Sequence, residues 1–247
     1  MAGRERDELP AHHRRIRSYV RRAGRLTPSQ ARALEELWPR FGIDPPMAPL
    51  ELDMIFGRPA PRTLEIGFGN GDNLAELAAR HPERDYLGVE VHDPGVGHLL
   101  LRIEREELAN IRVARHDAVE VVIGWLPPDS IDETLVFFPD PWHKKRHHKR
   151  RLVQPEFLAQ LACVMPVGAR LHLATDWAPY AEQMLEVCEA SPLFENAAPG
   201  GGYAARPETR PVTRFERRGL RLGHEVFDLL YRRKAGSETG SSTPAPR

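Results

Sequence analysis

The stretch TLEIGFGNGDN, residues 63–73, decides the fold. Its first four residues, Thr63–Ile66, have the β-branched and apolar character of a buried strand. Glycines follow at alternate positions: Gly67, Gly69 and Gly71. Glycine lets the backbone turn tightly and lets a ligand approach the main chain. Because a helical pattern begins directly afterwards, over Asn73–Arg80, we predict a strand, a ligand-binding turn and a helix in succession.

The same alternation of strand and helix patterns continues toward the C-terminus. Further strands are predicted over Asp85–Val91, Ile111–Ala114, Glu133–Phe138 and Arg170–Thr175. Further helices are predicted over Gly97–Leu108, Ala118–Trp125, Pro155–Met165 and Pro179–Ala190. Val226–Tyr231 is predicted as a last strand at an edge of the sheet. Repeated βα units predict an α/β fold with a mostly parallel central sheet, helices on both faces and an antiparallel C-terminal edge.

The spacing of the glycines narrows the class of ligand. A dinucleotide-binding turn has the pattern G-x-G-x-x-G, which would place glycine at position 72, where this chain has Asp72. This difference disfavours a dehydrogenase. The observed pattern is acid-x-Gly-x-Gly-x-Gly with Glu65 as the acid, and it resembles the first motif of the Rossmann-like S-adenosylmethionine (SAM) methyltransferases. A tight turn that binds nothing would show the same glycines, so the motif needs support from other residues.

Acidic residues follow the next two strands. Glu90 lies 19 residues beyond Gly71, at the end of the strand YLGVEV. A carboxylate there can accept hydrogen bonds from both hydroxyls of a ribose, and the alternative is an exposed glutamate at a strand end. Asp117 either accepts from an adenine amino group or caps the helix that begins at Ala118. Together with Glu65, these side chains would gather negative charge around a cationic sulfonium.

The fourth strand ends in Pro139-Asp140-Pro141-Trp142, directly before a basic run. Prolines on both sides restrict how Asp140 is presented at the carboxyl edge of the sheet, where open α/β sheets bind ligands. Trp142 either stacks on a base or folds back as packing. The run His143–Arg151 holds six lysines and arginines and three histidines. We interpret it as phosphate-binding. A solvated surface is the alternative, and the interleaved cations disfavour a metal site.

The distribution of charge is more informative than its sum. The 247 residues include 35 Lys plus Arg and 35 Asp plus Glu, so the formal net charge is zero. Residues 1–40 hold ten arginines and five acids, residues 41–142 hold eight basic and nineteen acidic residues, and residues 143–247 hold seventeen basic and eleven acidic residues. An acidic middle between two basic flanks is compatible with a polyanionic partner.

Composition and length limit the class of protein and its organisation. No apolar stretch reaches the ~20 residues of a membrane helix, and two cysteines, Cys163 and Cys188, cannot form a disulfide framework. With no signal-peptide core at the start, we expect a cytoplasmic protein without membrane contact. We expect a basic N-terminal arm over 1–50, with a short helix after Thr27-Pro28, a main domain over 51–234 and a disordered tail over 235–247.

Five segments together resemble the bacterial tRNA (guanine-N7-)-methyltransferase family. They are LEIGFGNG, YLGVEVHDPGVG, FFPDPWHKKRHHKRR, ATDWAPYAEQML and RPVTRFERRGLRLGH. The resemblance runs from RRIRSYVRRAGRLT to FDLLYRR, and the PDPW and PVTRFE segments are more particular to the family than the glycine turn. The resemblance implies a Rossmann-like enzyme that transfers the methyl group of SAM to N7 of the guanine at position 46, in the variable loop of tRNA.

The resemblance also implies roles for individual residues. Those expected around SAM are Glu65, Gly67, Gly69, Gly71, Glu90, Asp117, Ala118 and Asp140. Asp140 is also the expected catalytic residue. Those expected to contact the substrate are Lys144, Asp176, Thr213, Arg214, Phe215 and Glu216. Those expected to interact with RNA are Arg146, His147, His148, Lys149, Arg150 and Arg151. Arg214 stands where lysine is also common in the family, and both are cations.

The residues themselves leave several alternatives open. Asp176 could accept from guanine donors or cap the next helix, and Thr213–Glu216 would suit either a purine edge or a strand-end turn. Asp140 could stabilise developing positive charge or orient the guanine. Alternative functions are a SAM methyltransferase for small molecules or proteins and a non-catalytic RNA-binding module on the same fold. No metal and no obligatory protein partner is expected. The sequence is compatible with both a monomer and a homodimer.

Overall fold

The computed structural model describes residues 18–19, 24–208, 210–211, 216 and 225–235. Most of the predicted basic arm, the segment Thr213–Phe215 and the predicted tail from residue 236 onward lie outside the described residues. Within the described ranges, no helix is both long enough and apolar enough to cross a membrane.

The described chain alternates between helices and strands. The helices are α1 (Pro28–Glu36), α2 (Trp38–Phe41), α3 (Leu52–Phe56), α4 (Asp72–Arg80), α5 (Asp93–Arg105), α6 (Ala118–Gly124), α7 (Pro155–Val164) and α8 (Ala178–Glu189). The strands are β1 (Gly42–Ile43), β2 (Arg62–Ile66), β3 (Asp85–Val89), β4 (Ile111–Ala114), β5 (Glu133–Phe137), β6 (Arg170–Thr175), β7 (Phe194–Asn196) and β8 (Phe227–Arg233). A 3-10 helix, Lys145–Arg150, follows β5.

The strands form one sheet in the order β1-β4-β3-β2-β5-β6-β8-β7. Strands β1 to β6 are parallel, and β8 is antiparallel to both β6 and β7. The chain builds outward from β2 to β4 on one side and from β5 to β6 on the other, so the order reverses between β2 and β5. Open α/β sheets bind ligands at such a point, outside the carboxyl ends of the strands. The predicted α/β class, parallel sheet and antiparallel edge are confirmed.

The structure differs from the sequence-based prediction at the two edges of the sheet. The last strand, predicted to lie at an edge, is β8, which pairs with β6 on one side and β7 on the other. The three-residue strand β7 forms that edge, and the two-residue strand β1 forms the opposite one by pairing with β4. Neither edge strand is visible in the sequence, because two or three residues are too few to show an alternating pattern.

Helix α1 packs against the main domain. As predicted, Pro28 lies in its first turn, and Thr27 and Gln30 exchange hydrogen bonds in a capping box. The Gln30 side chain also donates to the carbonyl of Pro94 at 3.0 Å, and Arg32 pairs with Glu104 of α5 at 2.7 Å. The helix expected in an N-terminal arm therefore packs on α5, whereas the domain boundary at residue 50 stays a prediction.

Apolar side chains are buried on both faces of the sheet. Helices α1, α4 and α5 cover one face, with buried residues that include Ala33, Leu74 and Leu99. Helices α6, α7 and α8 cover the other face, with buried residues that include Val121, Leu158 and Met184. Both cysteines are ordinary helix residues, as expected, with Cys163 exposed in α7 and Cys188 buried in α8. The two helix layers leave the carboxyl ends of the strands uncovered.

A buried group of charged side chains connects β6, β8 and the chain that precedes β8. Arg210, whose side chain is 1% exposed, donates two hydrogen bonds of 2.6 and 2.8 Å to Glu216. Its Nε lies 2.8 Å from a carboxylate oxygen of Asp228 in β8. Asp228 in turn contacts Nε2 of His172 in β6 at 2.7 Å. Because two carboxylates surround the guanidinium with charge-assisted contacts, the cost of burying these charges is largely offset.

We predict that Arg210→Met lowers the free energy of unfolding by about 3–5 kcal/mol, because two carboxylates would stay buried without their cation. Urea unfolding at pH 7 measures this change. Arg206→Met is the control, since Arg206 is exposed and its described hydrogen bond goes to the Arg210 carbonyl. We expect a loss of less than about 1 kcal/mol there. Equal losses in the two variants would contradict a stabilising role for the buried group.

Candidate active site

A cavity of about 340 Å³ lies at the carboxyl ends of β2, β3 and β5. The glycine turn after β2, the residues after β3, the start of α6 and the segment after β5 line it. Ser18 and Tyr19, from the N-terminal part of the chain, line it as well. Candidate residues that line this cavity are Gly67, Gly69, Glu90, Ala118 and Asp140. The fold therefore brings together candidates from separate parts of the sequence.

The glycine turn adopts a backbone conformation that favours glycine. Gly67 and Gly69 have φ angles of +73° and +58°, and a Cβ at either position would meet no atom within 4 Å. A Cβ on Gly95 of α5 would instead come within 2.1 Å of the Gly69 carbonyl oxygen. Helix α5 can therefore begin against the turn, whose main chain keeps open space for a ligand.

Glu90 presents an oriented carboxylate to the cavity. Its Oε2 accepts from the Gly69 N–H at 2.9 Å, and its Oε1 accepts from the N–H groups of Val91 and His92 at 2.6 and 3.0 Å. An ionised carboxylate has about four acceptor sites, of which these contacts use three, so both oxygens are fixed and Oε2 keeps one site to accept from a hydroxyl. This geometry supports the ribose interpretation over an exposed strand-end glutamate.

Glu65 lies buried at the end of β2, with 3% of its surface exposed. Its Oε2 accepts from Nδ2 of Asn73 at 3.0 Å. Burial raises the pKa of Glu65 to about 8, against a lowering effect of the Asn73 hydrogen bond and with a further raising effect of the Glu90 carboxylate. Glu65 is therefore mostly protonated at pH 7. The expected cluster of negative charge is smaller than the sequence indicates.

Asp117 caps helix α6. Its side chain accepts from the Val119 N–H at 2.9 Å, so the helix-cap interpretation is confirmed. Asp117 is 8% exposed, and the residues on either side of it, His116 and Ala118, line the cavity. A contact between Asp117 and an adenine ring stays a prediction.

Asp140 is exposed at the carboxyl edge of the sheet and lines the cavity. The Phe138 N–H donates to the Ala174 carbonyl at 2.8 Å, so pairing with β6 continues one residue beyond β5. Phe138 and Trp142 then have positive φ angles of +51° and +48°. Such angles are uncommon for aromatic residues and cluster at functional loops. They turn the chain sharply on both sides of Asp140.

Trp142 folds back onto the protein. Its Nε1 donates to the Ser18 carbonyl at 3.0 Å. The Arg150 guanidinium carbon lies 4.8 Å from the centre of the Trp142 ring, and the His147 ring approaches at 5.8 Å in an edge-to-face arrangement. The packing interpretation of Trp142 is therefore confirmed.

The basic run lies beside Asp140 and is largely accessible. Lys144, Lys145, Arg146 and Lys149 are exposed, and His147, His148 and Arg150 are half-buried. Desolvation and the nearby Arg146 cation lower the pKa of His147, so this ring is mostly neutral at pH 7. Among the described residues, no group of three or more His, Cys, Asp or Glu side chains is placed to hold a metal ion.

The structure corrects the role expected for Arg151. This residue is 3% exposed. It donates to the carbonyls of Pro141 and Pro179 at 2.9 and 3.1 Å and to Oε1 of Gln183 at 2.6 Å. Its guanidinium carbon lies 4.7 Å from the centre of the Tyr180 ring. The predicted RNA contact of Arg151 is wrong, because these contacts bury the guanidinium inside the protein.

The other substrate candidates fall into three groups. Asp176 is exposed next to Trp177, and Trp177 rather than Asp176 is the N-cap residue of α8. Glu216 is buried with Arg210, and its substrate contact stays a prediction. Three candidates, Thr213, Arg214 and Phe215, lie outside the described residues. Sequence reasoning missed Ser18 and Tyr19, because a contact with a distant part of the chain leaves no local sequence signal.

We predict that Glu65→Gln removes a pH dependence of stability. In the wild type, Glu65 ionises near pH 4.5 when unfolded and at about 8 when folded, so the folded state binds the extra proton. Between these two pH values, this one group lowers the free energy of unfolding by up to about 1.4 kcal/mol for each pH unit of increase. Above them its contribution is constant. Urea unfolding from pH 5 to 8.5 should show the variant gaining stability relative to wild type as pH rises. Parallel curves would contradict the raised pKa.

Comparison with known proteins places the chain in a family. Residues 59–229 match the family described as "Putative methyltransferase". The tRNA (guanine-N(7)-)-methyltransferase of Burkholderia mallei is 59% identical over 233 residues, which cover 94% of this chain and 88% of that protein. The protein of the same name from Alkalilimnicola ehrlichii is 60% identical over 223 residues, which cover 90% of this chain and 94% of the relative.

Solved structures share the fold at much lower identity. The 16S rRNA methyltransferase KamB has a TM-score of 0.54 and 16% identity, covering 75% of this chain and 93% of its own. A variant of the 16S rRNA (adenine(1408)-N(1))-methyltransferase from Catenulisporales acidiphilia, solved with its cosubstrate SAM, has a TM-score of 0.53 and 16% identity, covering 79% and 96%. These likenesses support the predicted Rossmann-like methyltransferase fold. On the sequence matches, the chain belongs to the tRNA (guanine-N(7)-)-methyltransferase family.

Proposed function

We propose that this protein transfers the methyl group of SAM to N7 of a guanine in tRNA, at position 46 of the variable loop, and forms 7-methylguanosine. One observation carries the proposal: a nucleoside-sized cavity, the exposed carboxylate of Asp140 and an accessible basic helix share one edge of the sheet. Family membership supports the reaction and the tRNA substrate, and the cytoplasm is the expected compartment.

The residues present fit SAM. A volume of about 340 Å³ lies within the range of small-molecule sites. Gly67 and Gly69 leave their main chain open, and the oriented Glu90 carboxylate can accept from a ribose hydroxyl. Ala118 would line the adenine side. When bound, SAM supplies a methyl group on a positively charged sulfur, and the charge of Glu90 favours such a ligand.

Guanine N7 carries an in-plane lone pair and no proton, so the reaction needs no general base. The protein has to hold the purine in line with the methyl group and to support the positive charge that develops on the ring. Asp140 suits both tasks, because its carboxylate is exposed to the cavity and held by a sharply turned segment. Asp176 follows the neighbouring strand and is proposed to accept from guanine donors, with Thr213–Glu216 completing the site.

The exposed cations beside Asp140 are proposed to hold the tRNA backbone. Phosphate contacts fix the register and orientation of a nucleic acid without reading its sequence. Lys144 is assigned to the substrate side, and the 3-10 helix from Lys145 to Arg150 to the RNA backbone. A non-catalytic RNA-binding module is not favoured, because relatives named as methyltransferases match 90% or more of the chain.

We predict that Asp140→Ala reduces methylation of tRNA by at least about 100-fold, because alignment and electrostatic support are both lost. Asp140→Asn keeps the size of the side chain but removes its charge. Comparing the two variants separates the effect of the charge from the effect of the shape. Nucleoside mass spectrometry of tRNA after incubation with SAM measures 7-methylguanosine directly. Calorimetric titration with SAM and binding of tRNA are the controls. Near-wild-type turnover of Asp140→Ala would contradict the assignment.

We predict that Arg146→Gln and Lys149→Gln each weaken tRNA binding and reduce the slope of log affinity against log salt by about 0.7–0.9. The matched control is Arg105→Gln, an exposed arginine at the far end of α5. Arg151→Met should instead lower the free energy of unfolding, because Arg151 is buried. An unchanged salt slope in the first two variants would show that the run is an ordinary charged surface.

A further inference from the structure

Two aromatic side chains meet at the same edge of the sheet, and neither has been given a role in holding the target base. The rings of His143 and Trp177 lie 4.3 Å apart between centroids, at an interplanar angle of 80°. Trp177 is 37% exposed although it is a large apolar residue, and His143 is exposed too. An edge-to-face contact occupies the face of one ring only. The pair therefore offers aromatic surface to a ligand.

The pair joins the two loops that carry the candidate carboxylates. Strands β5 and β6 are parallel neighbours in which Phe137 lies opposite Ala174. Asp140 lies three positions beyond Phe137 and Trp177 three positions beyond Ala174, so both leave the sheet side by side. His143 follows Asp140, and Trp177 follows Asp176. The aromatic contact thus bridges the Asp140 loop and the Asp176 loop.

The buried side chain of Arg151 fixes the spacing of these two loops. Its guanidinium donates to the carbonyl of Pro141 in one loop and to the carbonyl of Pro179 at the start of α8. Both hydrogen bonds are buried at their donor. Arg151 therefore connects the two segments that carry His143 and Trp177.

The other tryptophan of this edge is already engaged. Trp142 packs against Arg150 and donates to the Ser18 carbonyl. Trp177 keeps its accessible surface, and its ring partner His143 directly precedes the exposed cations Lys144 and Lys145 in the chain. Aromatic surface next to cations is the combination with which proteins hold unstacked nucleobases.

We propose that Trp177, backed by His143, is the stacking surface for the target guanine once it has left the base stack of the tRNA. The inference rests on the proposed function and deepens it. A base withdrawn from an RNA stack loses contacts on its faces, and an aromatic side chain replaces them. Carboxylates hold the edge of the purine, whereas stacking fixes its plane, and in-line transfer to N7 requires both.

The test is a double-substitution cycle on tRNA affinity, in which no turnover is needed. One partner is Trp177→Ala, with Trp177→Phe as the conservative variant. The other partner is a tRNA transcript in which position 46 is abasic. Val167→Ala is the matched control, because Val167 is an exposed apolar residue just before the amino end of β6. SAM affinity and thermal unfolding report whether each variant is folded.

On intact tRNA, Trp177→Ala should weaken binding by about tenfold, Trp177→Phe should restore most of it, and Val167→Ala should have no effect. On abasic tRNA, wild type and Trp177→Ala should bind alike. An undiminished penalty on abasic tRNA would overturn the inference, since Trp177 would then contact a flanking nucleotide. An absent penalty on intact tRNA would overturn it as well. Methylation by the wild-type enzyme tests the proposed function separately.

Discussion

The geometry of the candidate site depends on the buried guanidinium of Arg151. Strands β5 and β6 end side by side, and beyond Phe138 no backbone pairing between them is described. Arg151 replaces that pairing with hydrogen bonds to Pro141 and Pro179, one in each of the two emerging segments. A buried charge is tolerated only when its donors are satisfied. The interaction therefore selects one arrangement of the two loops, and with it the separation of Asp140 from Asp176.

The charged side chains at this edge differ in how deeply they are buried. Glu65 lies under the glycine turn and is mostly neutral at pH 7, since burial raises its pKa. Three backbone N–H groups hold the Glu90 carboxylate at the cavity. The cations of the 3-10 helix are outside, in water. A cationic cofactor and a polyanionic substrate can then meet at one edge, because the site presents each with charge of the opposite sign. The zero net charge of the chain is the sum of these unlike parts.

Much of this architecture follows from local sequence. Each longer strand is an apolar run with a turn signal after it, and Thr27 with Pro28 specifies a helix start that the structure reproduces. The parallel order then places every residue that follows a strand at the same edge. Glu90 and Asp140 could be assigned to a site in this way, because β2, β3 and β5 are neighbours.

What the sequence could not show depends on partners distant in the chain. Arg151 is the last of nine residues that look alike in composition, and only its packing against Tyr180 and Gln183 separates it from a phosphate-binding cation. Glu216 is predicted to contact the substrate, and in the structure its carboxylate also pairs with the buried Arg210. In both cases the sequence indicates charge, whereas burial decides what the charge does.

Two buried arginines thus each fix a segment of chain at the substrate side of the sheet. Arg151 fixes the loops after β5 and β6, and Arg210 fixes the chain before β8 through Glu216 and Asp228. Loops at strand ends cannot be fixed by strand pairing, and an apolar anchor would leave their carbonyls and carboxylates without partners. A guanidinium has five donors in a planar fork and can satisfy several such groups at once. A site built from loops can in this way hold its side chains in one arrangement, which in-line methyl transfer requires.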